Sequence, residues 1–376
     1  MTCPAGLAGF FFLMRALLLI SFGLFCVSAG AQDEVEISAN LSHGPAGITV
    51  TPSGSYIVSL HQYFRPLDRV VEINRKGEVR PFPTDAISRG EAGAAVVLDS
   101  VQGLECDSDG VVWMLDNGRR GEVTPKLVGW NTEENELERV YHLPAPATTP
   151  TSFLADLAVD PEEPFIYATD PASGRDAALL VLDRRSGACR RVLQGHFSVQ
   201  PQPGLKLEID RRVVEALGID GRTFQPQAGV NPIAIDRKGE WVYFGPLMGR
   251  TLYRIRAEHL RDLSLNPIEL ESRVTGYAEK PICDGISIDS KNNVYVSDLS
   301  AKAVGIITAK DRRYSLHCGA PQLDWIDGFC YGTDRHFHGY SSQLHLSGPY
   351  NAGKDVSASP YLIFRFRGLS SGEVGR

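Results

Sequence analysis

The stretch DGISIDSKNNVYVSD at residues 284–298 shows the pattern that decides the fold. An apolar residue is followed three positions later by an aspartate, then by a polar turn and by a run rich in aromatic and β-branched residues. Two such runs on either side of a turn predict a β-hairpin.

The same hairpin recurs along the chain. Clear copies are GLECDSDGVVWMLD at 103–116, DLAVDPEEPFIYATD at 156–170 and NPIAIDRKGEWVYF at 231–244. Weaker copies are GITVTPSGSYIVSL at 47–60 and the segment 327–340, which begins DGFCYGTD. A hairpin repeated in this way predicts a repeat array, because each unit can bury its apolar face only against its neighbours.

Each repeat continues into two more strand-like runs. They are predicted at 69–74 and 78–82 in the first repeat, at 126–130 and 136–141 in the second, and at 178–182 and 189–193 in the third. Repeats of four antiparallel strands are typical of propeller blades, which close a ring around a central channel. We therefore predict an all-β fold, a six-bladed β-propeller with four antiparallel strands per blade, formed as one domain by residues 32–376.

Two segments depart from the repeat. The long interval between the third and fourth repeats predicts a loop insertion at 194–228, and a second excursion is expected at 341–358. Short helices are expected within 205–218 and 257–264. The segment 34–40 is predicted to close the ring against the last strand at 361–366, since an open ring would leave exposed strand edges.

The first 31 residues are predicted to be a signal peptide. Arg15 precedes an apolar run at 16–27, and Ala29, Gly30 and Ala31 form a small-residue cleavage site. A membrane anchor is the alternative, although the run is shorter than the ~20 residues that a spanning helix needs. We therefore expect a secreted or periplasmic protein with no membrane association after signal cleavage.

The charge limits the possible partners, and the cysteine content bears on the redox state. Loss of Arg15 changes the formal net charge from −7 to −8, which argues against nucleic acid or anionic lipid as partner. We expect a monomer that takes a small-molecule ligand. In an oxidising compartment one or two disulfides are expected among the five cysteines of the mature chain, which are Cys106, Cys189, Cys283, Cys318 and Cys330.

One position in each repeat lies beside the predicted channel axis. It is the residue two before the apolar residue that opens the pattern, and the six such residues are Ala46, Gln102, Ala155, Asn231, Asp284 and Asp327. Asp156 lies one residue out of this register. We predict that a small ligand, either an amine or a polyhydroxylated molecule, binds at the central channel. The predicted ligand-binding residues are Asn231, Asp284, Asp327, Gln102 and Asp156.

Neighbouring buried carboxylates need a cation or hydrogen-bond donors to remain ionised. Three interpretations therefore stay open for the hub. The carboxylates bind the ammonium group of a ligand, or they accept backbone N–H bonds in a structural role. Alternatively, Asn231, Asp284 and Asp327 hold a divalent cation such as Ca²⁺, which takes oxygen ligands.

Other candidate residues have a structural interpretation beside the functional one. The aspartates that end second strands, Asp116, Asp170 and Asp298, are interpreted as tying loops, with a ligand rim as the alternative. His336, His338 and His345 are interpreted as exposed loop histidines, with a metal site as the alternative. The aromatic residues at strand register are expected in the core between blades, and they are Trp113, Tyr167, Trp241, Tyr243 and Tyr295. The sequence contains no GxSxG, Walker or dinucleotide motif.

Several motifs resemble the yellow / major royal jelly protein family in the form of its bacterial members. They are WMLDNG at 113–118, DLAVD at 156–160, YATD at 167–170 and LDWIDGF at 323–329, and the resemblance covers residues 40 to 368. The resemblance implies a secreted six-bladed propeller. Functions in this family include binding of small aromatic amines in the channel and association with melanin-pathway chemistry.

The hub is also similar to that of the senescence marker protein/gluconolactonase propellers. In those proteins a divalent metal activates water for lactone opening, and its ligands are a Glu in blade one, an Asn in blades three and four, and an Asp in blade five. Asn231 and Asp284 match the last two positions, whereas Ala46 and Ala155 depart from the pattern. Whether the protein is an enzyme stays open. The alternatives to ligand binding are a metal-dependent lactone or ester hydrolase and a non-catalytic protein-interaction platform.

Overall fold

Six four-stranded antiparallel sheets follow one another around a ring in the computed structural model, which describes residues 35–172, 175–218 and 220–376. The innermost strand of each sheet contacts that of the next, and the innermost strand of the sixth sheet contacts that of the first. The predicted all-β, six-bladed β-propeller is confirmed. The signal-peptide prediction falls on residues 1–31, outside the described residues, and no helix in the described ranges is long and apolar enough to cross a membrane.

The first three blades follow the predicted strand pattern. Blade 1 consists of Pro45–Val50, Tyr56–Leu60, Val70–Ile73 and Val79–Pro81. Blade 2 consists of Val101–Cys106, Val111–Asp116, Lys126–Asn131 and Glu136–His142. Blade 3 consists of Leu157–Val159, Phe165–Asp170, Ala178–Asp183 and Cys189–Val192.

The last three blades complete the ring. Blade 4 consists of Val230–Ile235, Trp241–Pro246, Thr251–Arg256 and Thr275–Glu279. Blade 5 consists of Ile286–Ile288, Val294–Asp298, Ala303–Ile307 and Tyr314–Gly319. Blade 6 consists of Ile326–Tyr331, Phe337–Ser341, Tyr361–Phe366 and Glu36–Leu41.

The ring is closed by the beginning of the described chain. The outermost strand of blade 6, Glu36–Leu41, pairs antiparallel with Tyr361–Phe366. This pairing confirms the predicted closure, because it joins the two ends of the propeller in one sheet.

The repeated aspartate ties together the hairpins of blades 2, 3 and 5. In blade 2, Asp107 accepts hydrogen bonds from two backbone N–H groups of the turn and from Nε1 of Trp113, 2.8 Å away on the second strand. The same carboxylate-to-aromatic bond joins Asp160 to Tyr167 at 3.0 Å and Asp289 to Tyr295 at 3.1 Å. The spacing between aspartate and aromatic residue is therefore set by the geometry of this turn.

The aromatic residues of the repeats lie largely between the blades, as expected. Trp113, Tyr167, Tyr243 and Tyr295 are fully buried, whereas Trp241 is partly exposed and stacks under the guanidinium of Arg254 at 3.9 Å. Burial of such large rings removes the apolar surface that one blade alone would expose to water. The core therefore lies between adjacent sheets around the ring.

The insertion at 194–228 contains short hairpins and no helix among its described residues. The helix expected within 205–218 is wrong: the segment forms Glu208–Ile209, Arg212–Val213 and Ala216–Leu217, the last of which pairs with Thr223–Phe224. Asp210 and Arg211 adopt φ values of 49° and 63°, which reverse the chain after Ile209 and prevent a helix.

The described helices are short. The α-helices are Asp85–Arg89, Ala257–Arg261 and Pro267–Glu271, and the second confirms the helix expected within 257–264. The 3₁₀-helices are Gln62–Phe64, Leu344–Leu346 and Gly348–Tyr350. The expected disulfides are not formed by Cys106, Cys189, Cys283 or Cys330, which carry free thiols.

Candidate functional site

The six hub positions lie around one mouth of the central channel. Together they line a cavity of about 290 Å³, which is widened by aromatic residues from the surrounding loops. Asp284 is 3% exposed and Gln102 5%, whereas Asn231 and Asp327 are half-buried and lie against the cavity. The structure therefore brings Asn231, Asp284, Asp327 and Gln102 to one site, and their role in binding stays a prediction.

Asp284 is the most firmly positioned residue of the hub. One carboxylate oxygen accepts a hydrogen bond from Nε1 of Trp325 at 2.6 Å, and the other accepts from Nδ2 of Asn231. The backbone N–H of Asp284 donates to Oγ of Ser297 at 2.9 Å. Trp325 itself has a φ of 57°, which a bulky residue rarely adopts, and this backbone turn accompanies the indole's contact with the carboxylate.

A glycine brings Asp284 and Asp327 close together. A Cβ atom on Gly285 would lie 1.9 Å from the backbone oxygen of Asp327, so the innermost strands of blades 5 and 6 approach at a distance that only glycine permits. The Asp-Gly pair of the repeat therefore places a carboxylate beside the axis and also lets the next blade reach it.

The hub carboxyls have raised pKa values. Burial raises the pKa of Asp284 to about 6, although its hydrogen bonds from Trp325 and Asn231 act in the opposite direction. Burial raises the pKa of Asp156 to about 7, and the charge of Asp284 acts in the same direction. Burial, followed by the charges of Asp284 and Asp156, raises the pKa of Asp327 well above its usual range. The three groups therefore resist being ionised together.

Lys280, the lysine whose charge acts on Asp284, is already hydrogen-bonded to backbone oxygens. The ammonium group of Lys280 donates to the backbone oxygens of Pro246 at 2.8 Å, Gly249 at 2.9 Å and Pro281 at 3.2 Å. Burial lowers the pKa of Lys280. Lys280 thus lies in a backbone nest rather than in the cavity, and within the described ranges no cation acts on Asp156 or Asp327.

A second, smaller cavity lies deeper in the channel. It measures about 60 Å³ and is lined by Asp156 and Asp327 as well as by Glu105, Tyr340 and Arg376. Asp156 therefore borders the inner cavity and not the mouth, while Asp327 borders both. Arg376 approaches Glu105 to 3.2 Å, and burial raises the pKa of Glu105 to about 8. Sequence analysis missed Glu105, whose signal was an acidic residue inside an apolar strand.

Two excursions from the ring cover the mouth cavity. Leu217 and Phe224 come from the insertion, and Leu344 and Tyr350 come from the excursion at 341–358. The two excursions meet where the backbone N–H of Ala352 donates to the oxygen of Glu215 at 3.0 Å. Both excursions were predicted from sequence, the first as a loop over one face of the ring. Their meeting over the mouth cavity was not, because neither segment carries the repeat pattern.

A salt bridge fastens the insertion to the ring. Nζ of Lys302 in blade 5 lies 2.5 Å from Asp210 of the insertion and 2.8 Å from Asp324 of blade 6. Asp324 directly precedes Trp325, so the fastening point is adjacent to the residue that positions Asp284.

The strand-end aspartates tie loops, in line with their structural interpretation. Asp116 accepts hydrogen bonds from three backbone N–H groups and from Nζ of Lys126 at 2.7 Å. Asp170 accepts from two backbone N–H groups, from Ser152 and from Nη1 of Arg191 at 2.6 Å. Asp298 accepts from Tyr314 and from the N–H of Ala301. None of the three lines the mouth cavity.

The histidine prediction is wrong for His338, which is buried in a strand rather than exposed in a loop. Its Nδ1 lies 3.0 Å from the hydroxyl of Tyr56 and its Nε2 lies 2.9 Å from Asp334. His336 also lies against Asp334, at 3.4 Å. His345 is partly buried and stacks on Trp325 with ring centroids 6.1 Å apart.

The hub does not fit the four-ligand metal site of gluconolactonases. Alanines at 46 and 155 offer no ligand atoms, so two of the four ligand positions are missing. In the part of the chain that the structure describes, no three His, Cys, Asp or Glu side chains form a group that could hold a metal ion. A cation bound by Asn231, Asp284 and Asp327 therefore stays a prediction that would need water to complete its coordination.

Solved structures share the fold. A luciferin-regenerating enzyme is 11% identical, with 91% of this chain and 98% of that chain covered and a TM-score of 0.54. Regucalcin from Agrobacterium tumefaciens, a calcium-binding protein, is 12% identical, with 90% and 98% covered and a TM-score of 0.54. A gluconolactonase from Xanthomonas campestris is 12% identical, with 88% and 87% covered and a TM-score of 0.52. At these identities the likeness shows the propeller fold alone.

Sequence comparison identifies the family. No curated protein sequence matches the chain. The model of the family described as "Major royal jelly protein" matches residues 99–315, which is more than half of the chain and spans blades 2 to 5. The match confirms the resemblance carried by the motifs at 113–118, 156–160 and 167–170. The chain belongs to the major royal jelly protein family.

Proposed function

We propose that this protein binds a small cationic ligand in the mouth cavity, with the ligand's ammonium group held by Asp284 and Asp327. The proposal is carried by one observation: the hub gathers three carboxyls, and the lysine beside them is committed to backbone oxygens. An ammonium group placed there would supply the missing positive charge and would let the carboxyls ionise.

The walls of the cavity support a ligand with an organic body. Tyr63, Trp325 and Tyr350 line it, with ring centroids 6.0 Å apart between the two tyrosines and 5.7 Å apart between Trp325 and Tyr350. Apolar and aromatic walls with a few convergent polar groups are typical of small-molecule sites, and aromatic faces attract cations. A volume of about 290 Å³ favours a compact amine over a larger ligand.

The proposal is tested by removing the charges of the hub. The double variant Asp284→Asn with Asp327→Asn is titrated by calorimetry against primary amines, polyols and lactones. We expect wild-type protein to bind a primary amine and the variant to bind it about a hundredfold more weakly or not at all, since both charged partners of the ammonium are gone.

A matched control variant loses the same number of carboxylate charges outside the cavity. Asp109 and Asp311 are exposed, and Asp109→Asn with Asp311→Asn removes two carboxylates away from the cavity. This variant should bind like wild type. Wild-type protein that binds polyols but no amine, or a hub variant that binds amines as well as the control does, would overturn the proposal.

The same preparation distinguishes amine binding from metal-dependent hydrolysis. Amine binding at the hub should survive treatment with a chelator, because its partners are carboxylates of the chain. Hydrolysis of a lactone or ester that appears when Ca²⁺ or another divalent cation is restored would instead favour the hydrolase alternative.

We also infer that the protein acts outside the cytoplasm, on the strength of the N-terminal sequence. Arg15, the apolar run at 16–27 and the small residues at 29–31 support export and cleavage. The mass of the mature protein, purified from its natural compartment, tests this inference. A mature chain that retains the apolar run would contradict it.

A further inference from the structure

Arginines and aromatic rings alternate in a row on the side of the ring opposite the mouth cavity. The guanidinium carbon of Arg254 lies 3.9 Å from the ring centroid of Trp241 and 4.9 Å from that of Tyr277. That of Arg256 lies 4.6 Å from the Trp241 ring, and that of Arg312 lies 5.1 Å from the Tyr277 ring. We call this row the arginine ladder, and its members in order are Arg256, Trp241, Arg254, Tyr277 and Arg312.

The strands of blade 4 place the ladder away from the mouth. The first strand, Val230–Ile235, begins at the mouth with Asn231, so Trp241, which opens the second strand, lies at the opposite end. Trp241 pairs across the sheet with Arg256. Arg312 belongs to the turn between the third and fourth strands of blade 5, so the ladder crosses from one blade to the next. No ladder residue lines the mouth cavity.

The ladder carries positive charge that the protein neutralises very little. Among the residues that the structure describes, Arg254 and Arg312 have no carboxylate partner within salt-bridge distance. Arg256 approaches Glu240 at 3.8 Å, and these two side chains are 42% and 47% exposed. The turn at 308–313 adds two further exposed basic residues and one exposed acid. This concentration of positive charge contrasts with the formal net charge of −7 for the whole chain.

The chemistry of the ladder indicates the class of its partner. A guanidinium held over an aromatic ring presents N–H donors at its edge, and this planar fork matches the two oxygens of a carboxylate. Single-stranded nucleic acids and protein partners are held largely through aromatic groups that are open to bases or to the partner's side chains. Guanidiniums already lie over both rings of the ladder. The ladder therefore favours a partner that supplies carboxylates and needs no free aromatic face.

We propose that the arginine ladder binds a carboxylate-bearing polysaccharide, namely a chain of uronate sugars. Such a chain has a carboxylate on each sugar, so successive guanidiniums along the ladder each have one to bind. The chain is also thin, and it meets the ladder without approaching the other acids of a negatively charged protein, which an extended anionic surface such as a membrane would do. This inference does not depend on the proposed function, because the ladder and the mouth cavity share no residue.

Two polysaccharides test the inference. Wild-type protein is titrated by calorimetry with polygalacturonate and with dextran, its uncharged counterpart, at about 50 mM and about 200 mM salt. We expect binding to polygalacturonate that weakens as the salt concentration rises, because charge carries the interaction, and no binding to dextran. The proposal is overturned if polygalacturonate binds no more tightly than dextran, or less tightly than a single-stranded polynucleotide.

Variants of two ladder arginines locate the binding. In Arg254→Gln with Arg312→Gln two guanidiniums are lost, and the affinity for polygalacturonate should fall about tenfold. In Arg254→Lys with Arg312→Lys the charge remains but the planar fork is lost, and the affinity should fall about threefold. Arg139→Gln with Arg212→Gln is the matched control, because it removes two exposed arginines outside the ladder, and it should bind like wild type.

The variants also show whether the ladder or the net charge is responsible. If the control loses as much affinity as the glutamine variant, or if the lysine variant binds as tightly as wild type, binding follows net charge and the proposal is wrong. The lysine variant keeps the test decisive should the glutamine variant fail to fold.

Discussion

Two sets of buried aspartates in this propeller have opposite environments. The strand-end pair, Asp116 and Asp170, each accept four hydrogen bonds, and each includes one from a buried lysine or arginine. The hub set gathers carboxyls around one axis, and burial and mutual repulsion raise their pKa values. Asp116, Asp170 and Asp284 are all buried, but only the strand-end pair is neutralised by a cation of the protein.

The contrast indicates which aspartates serve stability and which serve binding. A carboxylate with a complete set of donors leaves nothing for a ligand to provide, and removing it leaves its partners unpaired. A carboxyl that lacks a counter-ion costs stability in the free protein and gains most when a cation arrives. Perturbed carboxyls in a cavity are therefore candidates for function, while saturated ones are candidates for structure.

The largest effect is expected from breaking the strand-end set. Asp170→Asn removes the charge that pairs with Arg191, whose side chain is 6% exposed, and leaves a buried guanidinium uncompensated. We expect a loss of about 3–5 kcal/mol in the free energy of unfolding. Denaturant unfolding measures it, with Glu134→Gln, an exposed acid, as the control. A loss below about 1 kcal/mol would show that the pair is not a stabilising feature.

A smaller effect of opposite sign is expected at the hub. The pKa of Asp327 is raised by burial and by Asp284 and Asp156, so the folded protein keeps a proton that the unfolded chain releases as the pH rises above about 4. The stability penalty is therefore absent at low pH and grows as the pH rises toward the folded pKa. Asp327→Asn removes it, and should stabilise the free protein by about 1–3 kcal/mol at pH 8.

The pH dependence separates this explanation from a packing effect. The gain from Asp327→Asn should shrink toward zero at pH 4.5, where the carboxyl is mostly protonated in the folded protein, whereas Asp109→Asn should change little at either pH. An equal loss of stability at both pH values would mean that Asp327 belongs with the strand-end set.

The fold was largely predictable because the repeat is local. The hairpins of blades 2, 3 and 5 each carry a turn aspartate bonded to an aromatic partner, such as Asp107 with Trp113, so the pattern can be read from about fifteen consecutive residues. Ring closure followed from the need to cover strand edges. The hairpin at 208–213 was not predictable in this way, because the reversal at Asp210 and Arg211 depends on two residues that adopt positive φ without being glycine.

The site was predictable only in part. The register placed Asn231, Asp284, Asp327 and Gln102 together, since one position per blade faces the axis. The register did not predict Trp325, because its contact with Asp284 depends on a single unusual φ. It also did not predict Tyr350, which belongs to an excursion outside the repeat. Long-range contacts of this kind depend on how loops fold back over the ring, which a local pattern does not encode.

The smallest predicted effect is the pH dependence of amine binding itself. The pKa of about 6 for Asp284 means that lowering the pH from 7.5 to 5.5 protonates this carboxyl of the mouth cavity, whereas a primary alkylamine stays charged throughout. Affinity for a primary amine should therefore fall by about fivefold to tenfold, and binding at pH 6 should release protons into the buffer. Calorimetry in buffers of different ionisation enthalpy measures that release. The prediction is contradicted if the affinity is the same at pH 7.5 and pH 5.5 and no proton is released. The ammonium group would then bind carboxylates that the protein already neutralises, as it does in the strand-end set.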